Sequence, residues 1–136
     1  MKRIVIASHS RFAIGLKETL TFLTTIDDIY DISAYIEEES EPLEDKIKEL
    51  FEQFDNNDKV IVMTDMLSGS VNQSFYSYIN DNVFVVTGVN VPLALELLLA
   101  SEDDICYDFI NNTVEEAKNM MIFVNSMQIS QSEDDE

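Results

Sequence analysis

The chain has 136 residues, with 8 Lys or Arg against 27 Asp or Glu, so its formal charge is −19. This length is enough for one domain with a hydrophobic core, and 46% hydrophobic residues with only 3 Gly and 2 Pro are typical of a globular protein. The negative charge argues against binding to nucleic acid or to anionic lipid headgroups, because both need clustered Lys and Arg. What remains is an acidic, soluble domain that acts on a small molecule or on a basic protein partner.

The cysteine content and the apolar runs predict a cytoplasmic protein. Cys106 is the only cysteine, so no intramolecular disulfide can form and a reducing compartment is expected. We expect its thiol to be buried or inert, because an acidic run precedes it. The apolar run 4–7 is shorter than the roughly 7 residues that a secretory signal needs. The longest apolar stretch, 91–100, is far shorter than the ~20 residues of a membrane span.

The first half of the chain alternates strand-like runs with helical patterns. Residues 4–7 are apolar and β-branched, typical of a strand buried on both faces. Residues 11–23 have apolar side chains at helical spacing, and 29–35 indicate a second, less apolar strand nearer an edge. After an acidic turn at 37–41, a strongly amphipathic helix is expected to begin near Pro42. Its apolar stripe consists of Leu43, Ile47, Leu50, Phe51 and Phe54.

The second half continues the alternation. Residues 60–63 predict a third buried strand, and 83–86 a fourth. Between them we expect a helix with Ser70 as its N-cap. The apolar face of that helix would carry Val71, Phe75, Tyr78 and Ile79. Residues 91–100 predict a helix that is apolar on nearly all sides. A last helix is expected to have four apolar residues in register, namely Ile110, Val114, Ala117 and Met121.

Strands that alternate with helices predict an α/β fold with a mainly parallel sheet, in the order 2-1-3-4, sandwiched by helices. Residues 121–129 are rich in β-forming side chains and are a candidate for a fifth, antiparallel edge strand. We expect one domain over 1–129. Residues 130–136, with four acids and no apolar side chain, predict a flexible acidic tail.

The chemistry is expected at the carboxyl ends of the first and third strands, because the strand order 2-1-3-4 reverses between them. His9, the only histidine, follows the first strand, and Asp65 follows the third. A carboxylate that accepts the N–H of a neutral imidazole fixes its tautomer and orientation. The turn Ser68-Gly69-Ser70 opens a helix and offers amides and hydroxyls that suit phosphate. Together these residues predict a phosphohistidine site, with His9 as nucleophile, Asp65 as its orienting partner and the turn holding the phosphoryl oxygens.

Purely structural interpretations stand beside this one. A histidine at a strand end can simply lie on the surface, Asp65 can cap a turn, and Ser-Gly-Ser is a common helix opener. Other chemistry has less support, since neither glycine-rich nucleotide-binding motif occurs in the sequence. One His and one Cys far apart cannot form a zinc site. We therefore predict no metal and no cofactor.

Three segments resemble, in the same order, the IIA component of the mannose-type sugar phosphotransferase system of bacteria. They are Ile-Val-Ile-Ala-Ser-His-Ser at 4–10, Thr-Asp-Met-Leu-Ser-Gly-Ser-Val-Asn at 64–72, and Thr-Gly-Val-Asn-Val-Pro-Leu at 87–93. The Gly-Val-Asn-Val-Pro stretch is the most specific, and the resemblance covers roughly residues 1–125. The family usually has two glycines and a proline after the aspartate, whereas here Ser68 replaces the first glycine and Val71 the proline. A serine restricts a backbone that glycine leaves free.

The resemblance implies a cytoplasmic phosphocarrier that forms homodimers, with the sheet completed by an exchanged antiparallel strand. It implies that His9 accepts a phosphoryl group from the phosphocarrier protein HPr, with Asp65 orienting it. The group would then pass to a IIB component, which phosphorylates sugar brought in by the membrane subunits. The negative charge would steer the domain to a basic docking surface on these partners.

Two alternatives stay open. One is the related phosphocarrier that feeds dihydroxyacetone kinase, and the other is a regulatory binding module of the same fold that does not turn over. The second is motivated by the departures at Ser68 and Val71.

Overall fold

The computed structural model describes residues 1–36 and 41–127. Its four strands form one parallel sheet in the order β2-β1-β3-β4, which confirms the predicted α/β class and strand order. The strands are β1 (Lys2–His9), β2 (Tyr30–Ala34), β3 (Lys59–Thr64) and β4 (Val83–Thr87).

Helices connect the strands and cover both faces of the sheet. The five α-helices are α1 (Phe12–Thr24), α2 (Leu43–Glu52), α3 (Ser70–Gln73), α4 (Val91–Leu99) and α5 (Tyr107–Lys118). Short 3-10 turns occur at Tyr76–Tyr78, Glu102–Asp104 and Val124–Ser126. Within residues 1–36 and 41–127, no helix is both long enough and apolar enough to cross a membrane.

The central strand β1 contributes to two separate cores. Ile4 and Ile6 pack in one cluster with side chains from α1, α4 and α5. Val5 and Ala7 pack in the other, with side chains from α2 and α3. Successive side chains of a strand point to opposite faces, so the unbroken apolar run at 4–7 reflects helices on both sides.

The helix predicted to begin at Ser70 differs from the prediction. Its N-cap is Gly69, not Ser70, and α3 has only four residues. The Phe75 amide donates to the Asn72 carbonyl, three residues back, at 3.2 Å, which tightens the chain into the 3-10 turn that follows. Ile79 is 53% exposed, so the predicted apolar face does not continue to it.

The C-terminal part also departs from the prediction. Met121 lies beyond the end of α5 and is 85% exposed, so it does not continue the helical register. No strand forms over 121–127, because this segment pairs with no strand in the described part of the chain. Residues 128–129 of the candidate fifth strand, the acidic tail 130–136 and positions 37–40 of the predicted acidic turn lie outside the described residues. Cys106 is exposed, not buried.

Candidate functional site

The sheet brings the ends of β1, β2 and β3 together at its carboxyl edge. His9 is the last residue of β1 and pairs with Ala34, the last residue of β2. Ala7 pairs with Thr64 of β3 on the other side, so Asp65, the next residue, lies beside the end of β1. The predicted convergence of His9 and Asp65 is therefore present in the fold.

Asp65 fixes both the main chain and the ring of His9. Its Oδ2 accepts the His9 amide and contacts His9 Nδ1, each at 2.9 Å, while its Oδ1 accepts the Met66 amide at 3.1 Å. Because a carboxylate faces Nδ1, we assign the proton of the neutral ring to Nδ1 and leave the lone pair on Nε2. The side chain of His9 is 35% exposed, so the ring can be reached from outside.

The same contacts keep Asp65 ionised. Burial alone would raise the pKa of Asp65, but the hydrogen bonds from the His9 amide and ring outweigh it and lower that pKa below its ordinary value. The site therefore holds a fixed negative charge beside Nδ1. Such a charge favours any step in which the ring becomes positive.

Gly69 is needed for its close approach to the histidine. A Cβ at this position would lie 2.5 Å from His9 Cε1 and 3.3 Å from Nε2. The Gly69 backbone has an ordinary φ of −86°, so the requirement is space and not conformation. The turn thus packs against the ring edge that carries the free nitrogen.

The two departures from the family pattern fit this geometry. Among the described residues, positive φ angles occur at Ser10, Thr25, Tyr35 and Gly88. Ser68 therefore needs none of glycine's conformational freedom, and its side chain is exposed. Val71 is fully buried in the core beneath the turn, where a valine side chain packs against the sheet.

A buried asparagine, which sequence reasoning missed, holds the turn in place. Asn72 Oδ1 accepts the Thr64 hydroxyl at 2.9 Å, which ties the turn to the end of β3. Its Nδ2 donates to the Leu67 carbonyl at 3.3 Å and to the Tyr76 hydroxyl at 2.9 Å. No pattern in the sequence marks this role, because it depends on the tertiary position of the helix.

Tyr35 was also missed, as it was predicted only to end the second strand. Its ring is stacked on that of His9, with centroids 5.7 Å apart and an interplanar angle of 24°. Its hydroxyl is 2.8 Å from Ser70 Oγ. The parallel pairing of β1 with β2 could have indicated it, because the residue after Ala34 must lie next to His9.

The arrangement suits transfer of a group through a ring nitrogen. It combines one accessible basic nitrogen, a carboxylate opposite it and a turn with two exposed hydroxyls, those of Ser68 and Ser70. In the described ranges, no group of three or more His, Cys, Asp or Glu side chains is placed to hold a metal ion.

Comparison with known proteins places the chain in a class that fits this site. Residues 3–115 match the family model of the fructose IIA component of the sugar phosphotransferase system (PTS). The chain therefore belongs to this family, the mannose-type IIA components, and the resemblance noted in the sequence is confirmed. A search of curated proteins finds no match.

Solved structures agree with the family. A Klebsiella pneumoniae protein assigned as a phosphoenolpyruvate-dependent sugar PTS permease is 30% identical, with 92% of each chain covered and a TM-score of 0.84. A Streptococcus pneumoniae PTS IIA protein associated with the fucose utilization operon is 28% identical, with 91% of this chain and 93% of that one covered and a TM-score of 0.75. The mannose/sorbose-specific IIA subunit of Enterococcus faecalis, 16% identical over 96% of this chain and 100% of its own, shares the fold with a TM-score of 0.70.

Proposed function

We propose that this protein is a phosphocarrier that accepts a phosphoryl group from phospho-HPr on His9 and passes it to a IIB component for sugar uptake. Its family supports a phosphotransferase role in general. The single observation that carries the proposal is the contact of 2.9 Å between His9 Nδ1 and Asp65 Oδ2, which leaves the lone pair on Nε2 of a partly exposed ring. The proposal places the protein in the cytoplasm.

We infer the atoms of the transfer step from this geometry. The lone pair of His9 Nε2 attacks the phosphorus of the donor phosphohistidine, whose phosphorus–nitrogen bond breaks and leaves its electron pair on the donor ring. His9 keeps its Nδ1 proton, so the phosphorylated ring becomes a positively charged imidazolium, and Asp65 stabilises this ring charge. Transfer to IIB repeats the step in the opposite sense, with neutral His9 as the leaving group. No metal or cofactor is needed.

In this proposal, Ser68, Gly69 and Ser70 bind the phosphoryl oxygens. The first amides of a helix have no partners within the helix, so those of Ser70 and Val71 are available to an anion. The hydroxyls of Ser68 and Ser70 are exposed beside the same turn. Gly69 brings these groups to the edge of the ring that carries Nε2.

Incubation with phospho-HPr tests the proposal. We expect one phosphate per chain, labile to acid and stable to base, and none on His9→Ala. His9 is the only histidine in the chain, so label that persists on the variant would contradict the assignment. Transfer of the label onward to a purified IIB component is the second expected result. Phosphorylation without onward transfer would instead favour the regulatory module.

The sugar system is favoured over the carrier that feeds dihydroxyacetone kinase. The Streptococcus pneumoniae relative is associated with a fucose utilization operon, and the family model is that of a sugar-system component. Parallel assays with a IIB component and with the kinase separate the two. Preferential transfer to the kinase would overturn the sugar assignment and leave the role of His9 intact.

We also propose a homodimer with an exchanged strand. Six apolar side chains near the C-terminus are at least half exposed: Met120, Met121, Ile122, Phe123, Val124 and Met127. The outer edge of β4 borders an apolar groove of about 570 Å³ that also includes Ile105 and Ile110. If the C-terminal segment of a second copy lay in this groove, the groove and the apolar side chains of that segment would cover each other. Sedimentation should show a dimer for the full chain and a monomer for a chain that ends at 119, and a full-length monomer would contradict the proposal.

A further inference from the structure

Tyr35 is the residue that links the histidine to the turn. Its ring covers one face of the His9 imidazole, with centroids 5.7 Å apart, while its hydroxyl lies 2.8 Å from Ser70 Oγ. One side chain therefore contacts both the proposed nucleophile and one of the proposed phosphate ligands. No other described aromatic ring is stacked on His9.

The backbone of Tyr35 is held in a costly conformation to make these contacts. Its φ is +64°, in the left-handed region, which is strained for a residue with a side chain. Ser10, which follows His9 on the neighbouring strand, has a φ of +51°, and its amide donates to the Ala34 carbonyl at 2.7 Å. Each of the two strands is thus followed immediately by a residue in the left-handed region. Strain of this kind often collects at functional positions.

Packing does not explain Tyr35. Its side chain is 63% exposed, so it fills no cavity in the core. The contact with Ser70 is likewise exposed, and an exposed hydroxyl pair contributes little to stability because water can replace either partner. The strained backbone is therefore not offset by burial.

The number of protons available decides which hydroxyl donates in the hydrogen bond between Tyr35 and Ser70. Each hydroxyl has one proton to donate, and its oxygen can accept. A phosphoryl oxygen can only accept a hydrogen bond. If Ser70 binds the phosphoryl group, its hydroxyl must therefore donate its one proton to that group. Its oxygen can then accept the proton of Tyr35.

We propose that Tyr35 is a positioning residue for the phosphorylated state: its hydroxyl donates to Ser70 Oγ and so directs the Ser70 proton to a phosphoryl oxygen on His9. This inference rests on the proposed function. The aromatic ring of Tyr35 adds a second effect. An aromatic ring attracts a cation within about 6 Å, and the phosphorylated imidazole ring of His9 is positively charged. The hydroxyl and the ring can be removed separately.

Four variants measure these effects through the hydrolysis rate of phospho-His9 and the rate of transfer from phospho-HPr. Tyr35→Phe keeps the ring and loses the hydroxyl, and Ser70→Ala loses its partner. We expect each to raise the hydrolysis rate and to lower the transfer rate by about 2–10-fold, the value of one hydrogen bond. The double variant should match Ser70→Ala, since Tyr35 acts through Ser70. Tyr35→Ala also loses the ring, so its effect on both rates should be larger than that of Tyr35→Phe.

Controls separate a positioning role from a structural one. Tyr107 is 75% exposed at the start of α5, so Tyr107→Phe removes a comparable hydroxyl and should change neither rate. Ser70→Thr keeps a hydroxyl and should restore most of the effect of Ser70→Ala. Unfolding midpoints of all variants should stay close together, because Tyr35 is not part of either core.

The outcomes distinguish this inference from the proposed function. If the wild-type chain takes up label on His9 and Tyr35→Phe behaves like wild type, the inference is wrong and the phosphocarrier assignment stands. Additive effects of Tyr35→Phe and Ser70→Ala would also overturn it, since they would act independently. If the wild-type chain takes up no label, both the proposed function and this inference fail.

Discussion

The two edges of the sheet use charged side chains in opposite ways. At the amino edge, the Nζ of Lys2 donates to the carbonyls of Leu97 and Leu98, and the Nζ of Lys59 donates to those of Glu102 and Ile105. Buried Asp58 accepts both the Arg3 guanidinium, at 3.0 Å, and the Asp55 amide, at 2.9 Å. Each of these charged groups forms hydrogen bonds that hold neighbouring elements together.

At the carboxyl edge, the contacts of His9 leave one ring nitrogen, Nε2, available for chemistry. Asp65 engages the amide and Nδ1 of His9, whereas Nε2 keeps its lone pair on the ring edge beside Gly69. The contrast teaches that charge alone does not mark a functional site. The mark is a reactive atom whose neighbours are fixed while its own remaining position is accessible.

The largest effect should come from removing the orienting charge. Asp65→Asn keeps the shape of the side chain but no longer stabilises a positive ring or enforces the Nδ1 proton. We expect the rate of phosphoryl transfer to fall by about 100-fold or more. Single-turnover transfer from phospho-HPr measures this rate.

Asp28→Asn is the matched control, because Asp28 is exposed and the variant removes the same charge. It should leave the rate nearly unchanged. Equal loss of rate in both variants would show that net charge, and not the contact with His9, controls transfer.

The second effect concerns the space beside the ring. In Gly69→Ala the new Cβ would lie 2.5 Å from His9 Cε1, so ring or turn must move. We expect transfer to slow by about 10–100-fold. The unfolding free energy should fall by about 1–3 kcal/mol through overpacking.

Gly15→Ala is the paired measurement. Gly15 lies within α1, and a Cβ there would meet nothing within 4 Å. This variant should leave transfer unchanged and stabilise the fold by about 1 kcal/mol, because alanine is the better helix former. A normal transfer rate in Gly69→Ala would contradict the close approach at the site.

The third effect belongs to the amino edge and should alter stability alone. The amide of Asp55, with the Arg3 guanidinium, overcomes the effect of burial and lowers the pKa of Asp58 to about 2 from an ordinary 3.8. The folded state thus prefers the charged form. Its contribution is fully present above the ordinary value and is lost as the pH falls through the folded pKa near 2.

Asp58→Asn should therefore lower the unfolding free energy at neutral pH by about 1–3 kcal/mol. The deficit should shrink as the pH falls from about 4 towards 2, while transfer at neutral pH stays at the wild-type rate. Denaturant titrations across this range measure the change. A deficit that does not depend on pH would mean that the charge of Asp58 is not its source.

Much of the fold and part of the site could be predicted from the sequence, for physical reasons. Strands buried on both faces must be apolar throughout, so 4–7 and 60–63 could be predicted as strands. Their alternation with helices indicated the parallel sheet. Because the order reverses between β1 and β3, His9 and Asp65 could be brought together without a structure.

The missed features all depend on tertiary contacts. Tyr35 follows a strand like any other residue, and only its left-handed φ and the pairing of β1 with β2 place it beside His9. Asn72 reaches Thr64 because the short α3 lies over the end of β3. The length of α3 could not be predicted, since the apolar spacing at Val71 and Phe75 also fits a longer helix.

We expect Nε2 of His9 to take the phosphoryl group, because Asp65 occupies Nδ1. Heteronuclear NMR of the protein labelled with ¹⁵N at its one histidine and phosphorylated by phospho-HPr tests this directly. We expect phosphorus–nitrogen coupling to Nε2 and a proton retained on Nδ1. Coupling to Nδ1, or phosphate on any residue other than His9, would contradict it.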